Sequence, residues 1–153
     1  MGIPIVLSSF PEYLVEVDRC LAQVNALGLR WRATRFDRYR SALEEAATAI
    51  YPRVVDVKEP AQRERDRLLR EAAIQTQQLM VSSETWDEQS RHVLTSKLKI
   101  VLKGRDLPPT KTRDDDGPRN TLAELATAAL LRRRGFQVSL TEKDEEVLAS
   151  VPE

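Results

Sequence analysis

The chain has 153 residues, of which 41% are apolar and 5% aromatic, and its 24 Lys and Arg side chains balance 24 Asp and Glu side chains. That length suits one domain and supplies enough residues to bury a core. The balanced charge excludes a global basic field for nucleic acid, and the low aromatic content argues against a base-stacking platform, which leaves only local patches for such binding.

Two amphipathic helices are predicted first. Ser9 and Glu12 have the spacing of a capping box, which satisfies backbone amides at a helix start, and Gly28 ends this helix. Its apolar face holds Leu14, Val17, Leu21 and Val24. A second helix follows an arginine-rich segment and ends at Pro52. Its apolar positions are Phe36, Tyr39, Leu43 and Ile50. Residues 54–57 then fit a short strand or a turn.

Two further helices follow in the chain. Pro60 suits the first position of a third helix over residues 60–80, whose many charged side chains we interpret as a solvated face. Its narrow apolar stripe is Leu68, Leu69, Ala72, Thr76 and Leu79. Thr85 and Glu88 form a second capping box, and Gly104 ends the fourth helix. Its apolar positions are Val93, Leu94, Leu98, Val101 and Leu102.

A change of composition separates these helices from the end of the chain. Residues 105–118 are rich in Pro and Asp and predict a linker. The chain is therefore divided into a helical region over 1–104, this linker, and a last region over 119–153 with a helix, a short strand and an acidic tail. Thr121 and Glu124 form a third capping box, which predicts the start of the last helix.

The strand of the last region raises the question of its partner. Gly135 ends the helix, and residues 136–140 then alternate between apolar and polar as in a half-buried strand. Because a lone strand cannot satisfy its own backbone, we expect it to pair with residues 3–7 or 54–57, to pair with another chain in a homo-oligomer, or not to form. The elements predict a mainly α protein of about five helices, in a bundle or in hairpins, with at most one or two short strands.

Few residues are candidates for catalysis or metal binding. Cys20 is the only cysteine and His92 the only histidine, so we predict a buried apolar role for the first and a surface or half-buried position for the second. Asp114, Asp115 and Asp116 offer oxygen ligands for a cation, but their spacing matches no calcium loop, and we prefer a solvated linker. The sequence thus predicts no metal site and no cofactor.

Compartment and nucleic-acid contacts are predicted from simple features. A single cysteine excludes an internal disulfide and favours a reducing cytoplasm, and no window approaches the ~20 apolar residues of a membrane span, so no membrane partner is expected. Two basic clusters are candidate phosphate contacts, because arginine binds phosphate and stacks on bases, although the aromatics of the first lie at core spacing. The candidate residues are Arg30, Arg32, Arg35, Arg132, Arg133 and Arg134.

One stretch resembles a known family. Residues 119–125 and 131–138 read as an Arg-Asn, a helix with one inward Glu, an Arg-Gly-Phe turn and a strand. This pattern resembles the entry to PD-(D/E)XK, or restriction-endonuclease-like, domains, in particular bacterial proteins in which a helical N-terminal region precedes such a core. The Gly-x-x-Leu-Pro within residues 97–109 is similar to the linker region of those proteins.

The resemblance implies metal-dependent chemistry, and it also implies that part of the required site is missing. In that family an Asp and a later Glu-x-Lys hold Mg²⁺ and activate water for phosphodiester cleavage. Glu124 matches the helix Glu that supports the metal site and is the one catalytic candidate, while Asp144 lies near where the Asp would fall. No Glu-x-Lys strand precedes Glu153, so the resemblance implies a truncated or degenerate member without nuclease activity.

Three functions follow from these observations. The first is a non-catalytic helical protein that binds DNA or a protein partner. The second is a truncated or split nuclease whose Mg²⁺ site is completed by another chain. The third is a protein–protein adaptor that uses the helix over residues 60–80.

Overall fold

The protein is mainly α. A computed structural model describes residues 10–48, 60–83, 86–88, 90–108, 116–140 and 148–150. In these residues the elements are α1 (Phe10–Ala26), α2 (Arg35–Thr48), α3 (Pro60–Ser82), α4 (Arg91–Leu102), α5 (Gly117–Arg133), β1 (Gln137–Ser139) and β2 (Leu148–Ser150). Five helices and two short strands confirm the predicted fold class.

One apolar core joins all five helices. α2 and α5 pack on α3, α4 packs on α5, and α1 contacts α2 and α3. The largest fully buried side chains are Tyr39, Phe36, Leu21, Leu43, Leu79, Leu94, Leu98, Leu122 and Leu125. Because α5 contributes to the same core as α1–α4, residues on both sides of 105–118 pack together. Half of that stretch, residues 109–115, lies outside the described residues, so its role as a linker stays a prediction.

The α4–α5 connection begins with a tight turn. Gly104 has φ +101°, a left-handed conformation that residues with a Cβ rarely adopt. A Cβ at this position would lie 3.0 Å from Cγ of Pro118, in the first turn of α5. Gly104 therefore ends α4, as predicted, and also lets the start of α5 approach closely.

Helix starts differ from the predicted capping boxes. α5 begins at Gly117, four residues before the predicted cap, and its N-cap is Asp116, whose side chain accepts a hydrogen bond from the Arg119 amide at 3.3 Å. Thr121 is buried inside this helix, so its prediction as a cap is wrong. α4 begins at Arg91, with Ser90 as its N-cap. The predicted caps Ser9 and Thr85 lie outside the described residues.

The strand after α5 has a local partner. β1 pairs antiparallel with β2, and Val138 lies opposite Ala149. The expected pairing did not include residues 148–150, because three residues give too short a pattern to detect. Residues 3–7 and 54–57 lie outside the described residues. In the described part of the chain, no helix has the length and apolar character that crossing a membrane requires.

Candidate functional site

A buried polar cluster connects α2, α3, α5 and the end of α4; we call it the polar junction. Its members are Arg35, Tyr39, Glu71, Gln75, Asp106, Asp116 and Arg119. At its centre the hydroxyl of Tyr39 accepts hydrogen bonds from Nη1 of Arg35 at 3.3 Å and Nη2 of Arg119 at 3.1 Å. The same hydroxyl donates to the carbonyl of Asp106 at 2.6 Å. One phenol thus joins two guanidinium groups and the α4–α5 connection.

Arg119 is the best-paired arginine of the junction. Its Nε lies 2.7 Å from Oε1 of Glu71, and its Nη1 lies 2.9 Å from Oδ2 of Asp116. Burial works against its charged form, but the hydrogen bond to Glu71 and the other partners hold the pKa of Arg119 above its ordinary value. Such charge-assisted bonds are stronger than neutral ones, so Arg119 fixes α5 on α3.

Arg35 is buried without an ion pair. Only 3% of this residue is exposed, and no described carboxylate forms an ion pair with it. Its Nε donates to the carbonyl of Val101 at 3.0 Å, in the last turn of α4, where the helix dipole favours a cation. Nη1 donates to Gln75 at 2.7 Å, whereas Nη2 has no partner. Burial lowers its pKa, but a guanidinium stays charged in proteins.

The first predicted basic cluster is therefore divided between surface and interior. Arg30 and Arg32 are exposed, and the guanidinium of Arg32 lies 4.4 Å from the ring centroid of Trp31. Only 3% of Arg35 is exposed, because its side chain enters the core between α2, α3 and α4, so this residue offers little surface to a nucleic acid. The aromatic neighbours Trp31, Phe36 and Tyr39 are all buried, as their core spacing predicted.

The second basic cluster lies at the surface. Arg132, Arg133 and Arg134 are exposed at the end of α5, where positive charge suits the helix dipole. Arg132 is 3.2 Å from a carboxylate oxygen of Asp87. The hydrogen bond from the Ser90 amide, with help from Arg132, lowers the pKa of Asp87. This cluster is accessible, and its Arg132 is paired with Asp87.

The predicted catalytic residue does not have the surroundings of a metal ligand. A carboxylate oxygen of Glu124 lies 3.8 Å from Nζ of Lys97, a side chain that is 7% exposed. Among the described residues no three His, Cys, Asp or Glu side chains lie close enough together to hold a metal. One carboxylate beside a lysine does not provide the oxygen donors that Mg²⁺ needs. Completion by another chain stays a prediction.

The remaining candidate residues lie at a helix cap, on the surface and in the core. Asp116 is engaged by Arg119 and caps α5. His92 is exposed on α4. Cys20 is 4% exposed, and burial raises the pKa of its thiol to about 12. A thiol of that pKa is not a nucleophile at neutral pH, which agrees with its predicted apolar role.

The outer surface of α3 carries a row of arginines that the sequence analysis did not single out. Arg63, Arg67, Arg70, Ile74 and Gln77 are all exposed, and we call this set the α3 arginine face. Their spacing of four and three residues places them on one side of the helix. This spacing can be read from the sequence, but the acidic residues between the arginines favoured the interpretation of this side of α3 as a solvated face.

The fold and the polar junction define a mainly α protein, in whose described residues five helices share one core and two arginines connect α2, α3, α5 and the end of α4. No protein-family model matches its sequence, and neither a curated protein nor a solved structure matches it. The PD-(D/E)XK resemblance therefore stays a prediction.

Proposed function

We propose that the protein is a non-catalytic helical binding protein that docks the α3 arginine face against the phosphate backbone of duplex DNA. The observation that carries the proposal is the exposure of Arg63, Arg67 and Arg70 on one side of α3. The opposite side of this helix is buried against the core through Ala72, Thr76 and Leu79. The arginines therefore lie on the outermost line of the helix, where a large flat partner can reach all three.

The charges of Arg67 and Arg70 are not shared with other described side chains. In the described part of the chain neither Arg67 nor Arg70 forms an ion pair. Two nearby carboxylates have other contacts, since Glu71 is held by Arg119 and Asp66 accepts a hydrogen bond from Gln62 at 3.1 Å. From Arg63 to Arg70 the helix rises about 10 Å, enough to follow neighbouring phosphates. Arginine binds phosphate through paired hydrogen bonds, and each contact releases counterions.

Two further proposals concern the extent of the binding surface and the compartment of the protein. Arg30, Arg32 and Arg132–Arg134 are exposed and supply additional phosphate contacts if the duplex extends beyond α3. The compartment we propose is the reducing cytoplasm, where the buried thiol of Cys20 stays reduced.

Salt-dependent affinity tests the proposal. Binding of a labelled short duplex is measured by fluorescence anisotropy over a range of salt concentrations for the native chain and for an Arg67→Ala/Arg70→Ala variant. We expect a steep loss of affinity with salt and a slope that falls by about 0.9 per phosphate contact removed. A double variant of the second basic cluster, Arg132→Ala/Arg133→Ala, measures the smaller contribution to DNA affinity that we expect from this cluster.

The matched control is Arg19→Ala/Arg65→Ala, which removes the same charge from exposed positions off the α3 arginine face. Arg65 lies two residues from both Arg63 and Arg67 and therefore points to another side of the helix. If the control weakens DNA binding as much as Arg67→Ala/Arg70→Ala does, the loss of affinity comes from net charge and not from the α3 arginine face. Absent or salt-independent binding would remove DNA as the partner.

A protein partner is the second candidate, and Ile74 favours it. This residue is 51% exposed on the α3 arginine face, four residues beyond Arg70, and an apolar side chain contributes little to a phosphate contact. If the partner is a second copy, sedimentation equilibrium gives a mass that rises with concentration, and Ile74→Asp returns it to one chain. A mass of one chain at every concentration rules out the homo-oligomer.

A further inference from the structure

We infer that a groove between the start of α2 and the α4–α5 connection binds a phosphate-bearing anion. The groove has a volume of about 700 Å³, within the range of small-molecule sites. Its charged lining residues are Arg35, Arg38, Lys103 and Arg105, with Asp37 and Asp106. Cations thus outnumber carboxylates four to two, on a chain whose charges balance as a whole.

The two carboxylates of the groove are already engaged. Oδ2 of Asp106 accepts a hydrogen bond from Nη1 of Arg38 at 2.8 Å, and its Oδ1 accepts from the Leu107 amide at 3.0 Å. Asp37 accepts from the Ala33 amide at 3.2 Å and lies 3.6 Å from Arg32. Their negative charge is therefore compensated before a ligand arrives.

Two of the cations receive no such compensation from the described residues. Lys103 and Arg105 are exposed, and neither forms an ion pair with a described residue. They follow α4 directly, so the turn at Gly104 holds both side chains at the same end of the helix. A phosphate group between them gains two charge-assisted contacts.

The wall of the groove also contains a buried positive charge. Arg35 contributes to this wall, is 3% exposed and has no ion pair with a described carboxylate. Its Nη2 is buried without a hydrogen-bond partner. Because Coulomb interactions strengthen as the local dielectric falls, an anion in the groove is attracted by this buried guanidinium as well as by the exposed cations.

The phosphate can belong to a free molecule or to a nucleic-acid backbone, and one experiment distinguishes these sources. Inorganic pyrophosphate is titrated into the native chain by calorimetry at constant ionic strength, alone and with a short DNA duplex present. Saturable binding that the duplex does not displace indicates a free phosphate-bearing molecule. Displacement by the duplex assigns the site to a phosphate backbone. This inference does not depend on the α3 arginine face, which has its own variants.

Two matched variants decide whether the groove is the site. Lys103→Ala/Arg105→Ala is expected to weaken pyrophosphate binding at least about tenfold, because each charge-assisted bond contributes a factor of this order. Arg65→Ala/Lys99→Ala removes the same charge from exposed positions outside the groove and should leave the affinity within about twofold. No saturable binding, or an equal loss in both variants, would overturn the proposal. All four side chains are exposed, so unfolding curves should show both variants folded.

Discussion

The polar junction and the α3 arginine face place the same side chain in opposite surroundings. Arg119 has a side chain that is 12% exposed and is bonded to two carboxylates, a phenol and a carbonyl. Arg67 and Arg70 are exposed and make no ion pair with a described residue. A buried charge that loses its partner is strongly destabilising, whereas an exposed one interacts mainly with water. Arginines of the first kind therefore maintain the fold, and those of the second kind are free to bind.

Replacing Arg119 should give the largest loss of stability. Arg119→Met leaves Glu71 and Asp116 without their cationic partner, and breaking a buried pair in this way costs about 3–5 kcal/mol. Urea denaturation measures the free energy of unfolding. The control is Arg132→Met, which breaks the exposed pair with Asp87 and should cost less than about 1 kcal/mol. Similar losses in the two variants would contradict the distinction.

Arg35 should show an intermediate effect, because it has hydrogen bonds but no ion pair with a described carboxylate. Arg35→Met removes bonds to Val101, Gln75 and Tyr39 and also removes a buried charge with an unpaired Nη2. We expect a loss of about 1–3 kcal/mol, smaller than for Arg119→Met. Urea denaturation of both variants in the same buffer gives the comparison. A larger loss at Arg35 would mean that capping of α4 outweighs the ion pairs of α5.

Cys20 extends the comparison to a buried group whose pKa is shifted by burial and not by an ion pair. Burial raises the pKa of its thiol from 9.0 to about 12. Between these values the unfolded thiol loses its proton while the folded one keeps it, so the contribution is complete below pH 9 and is lost as pH rises toward 12. At pH 10 the loss is on the order of 1 kcal/mol. Urea denaturation at pH 8 and pH 10 should show a shallower decline for Cys20→Ala, and an identical decline would refute the assignment.

Variants of the α3 arginine face should change stability least. Arg67→Ala/Arg70→Ala removes two exposed side chains from a helix, and such changes usually stay within about 0.5 kcal/mol. The same variant is expected to lose affinity for duplex DNA. Arg119→Met, in contrast, is expected to lose stability. A loss of stability above about 1 kcal/mol, measured by urea denaturation, would show that these arginines take part in the fold.

The sequence predicts the helices well because their signals are local. Periodic apolar positions and Pro60 gave α3, and Gly28 and Gly104 gave the ends of α1 and α4. The start of α5 was missed because Asp116 caps the helix ahead of Gly117 and Pro118, which outweighs the capping box further along. Local signals compete, and the sequence alone does not say which one prevails.

The polar junction could not be predicted, because its bonds connect distant parts of the chain. Arg35 and Val101 are separated by 66 positions, and Arg119 and Tyr39 by 80. Arg35 stands among other arginines in the sequence, and only packing shows that its side chain enters the core. The outward position of Arg63, Arg67 and Arg70 could be derived from helical spacing, but the sequence does not show that Glu71 pairs with Arg119 across the core.

The two ends of the α4–α5 connection are fastened to one guanidinium. Nη2 of Arg119 binds the carbonyl of Asp106 at 2.9 Å, and Nη1 binds the side chain of Asp116 at 2.9 Å. One side chain therefore fixes the distance between the backbone at Asp106 and the cap of α5, and doubling the length of a chain segment between fixed ends costs only about 0.6 kcal/mol. A peptide tag or a reporter domain inserted after Pro108 should leave α5 in place, which makes this connection an attachment point for engineering and a permissive position for evolutionary insertions.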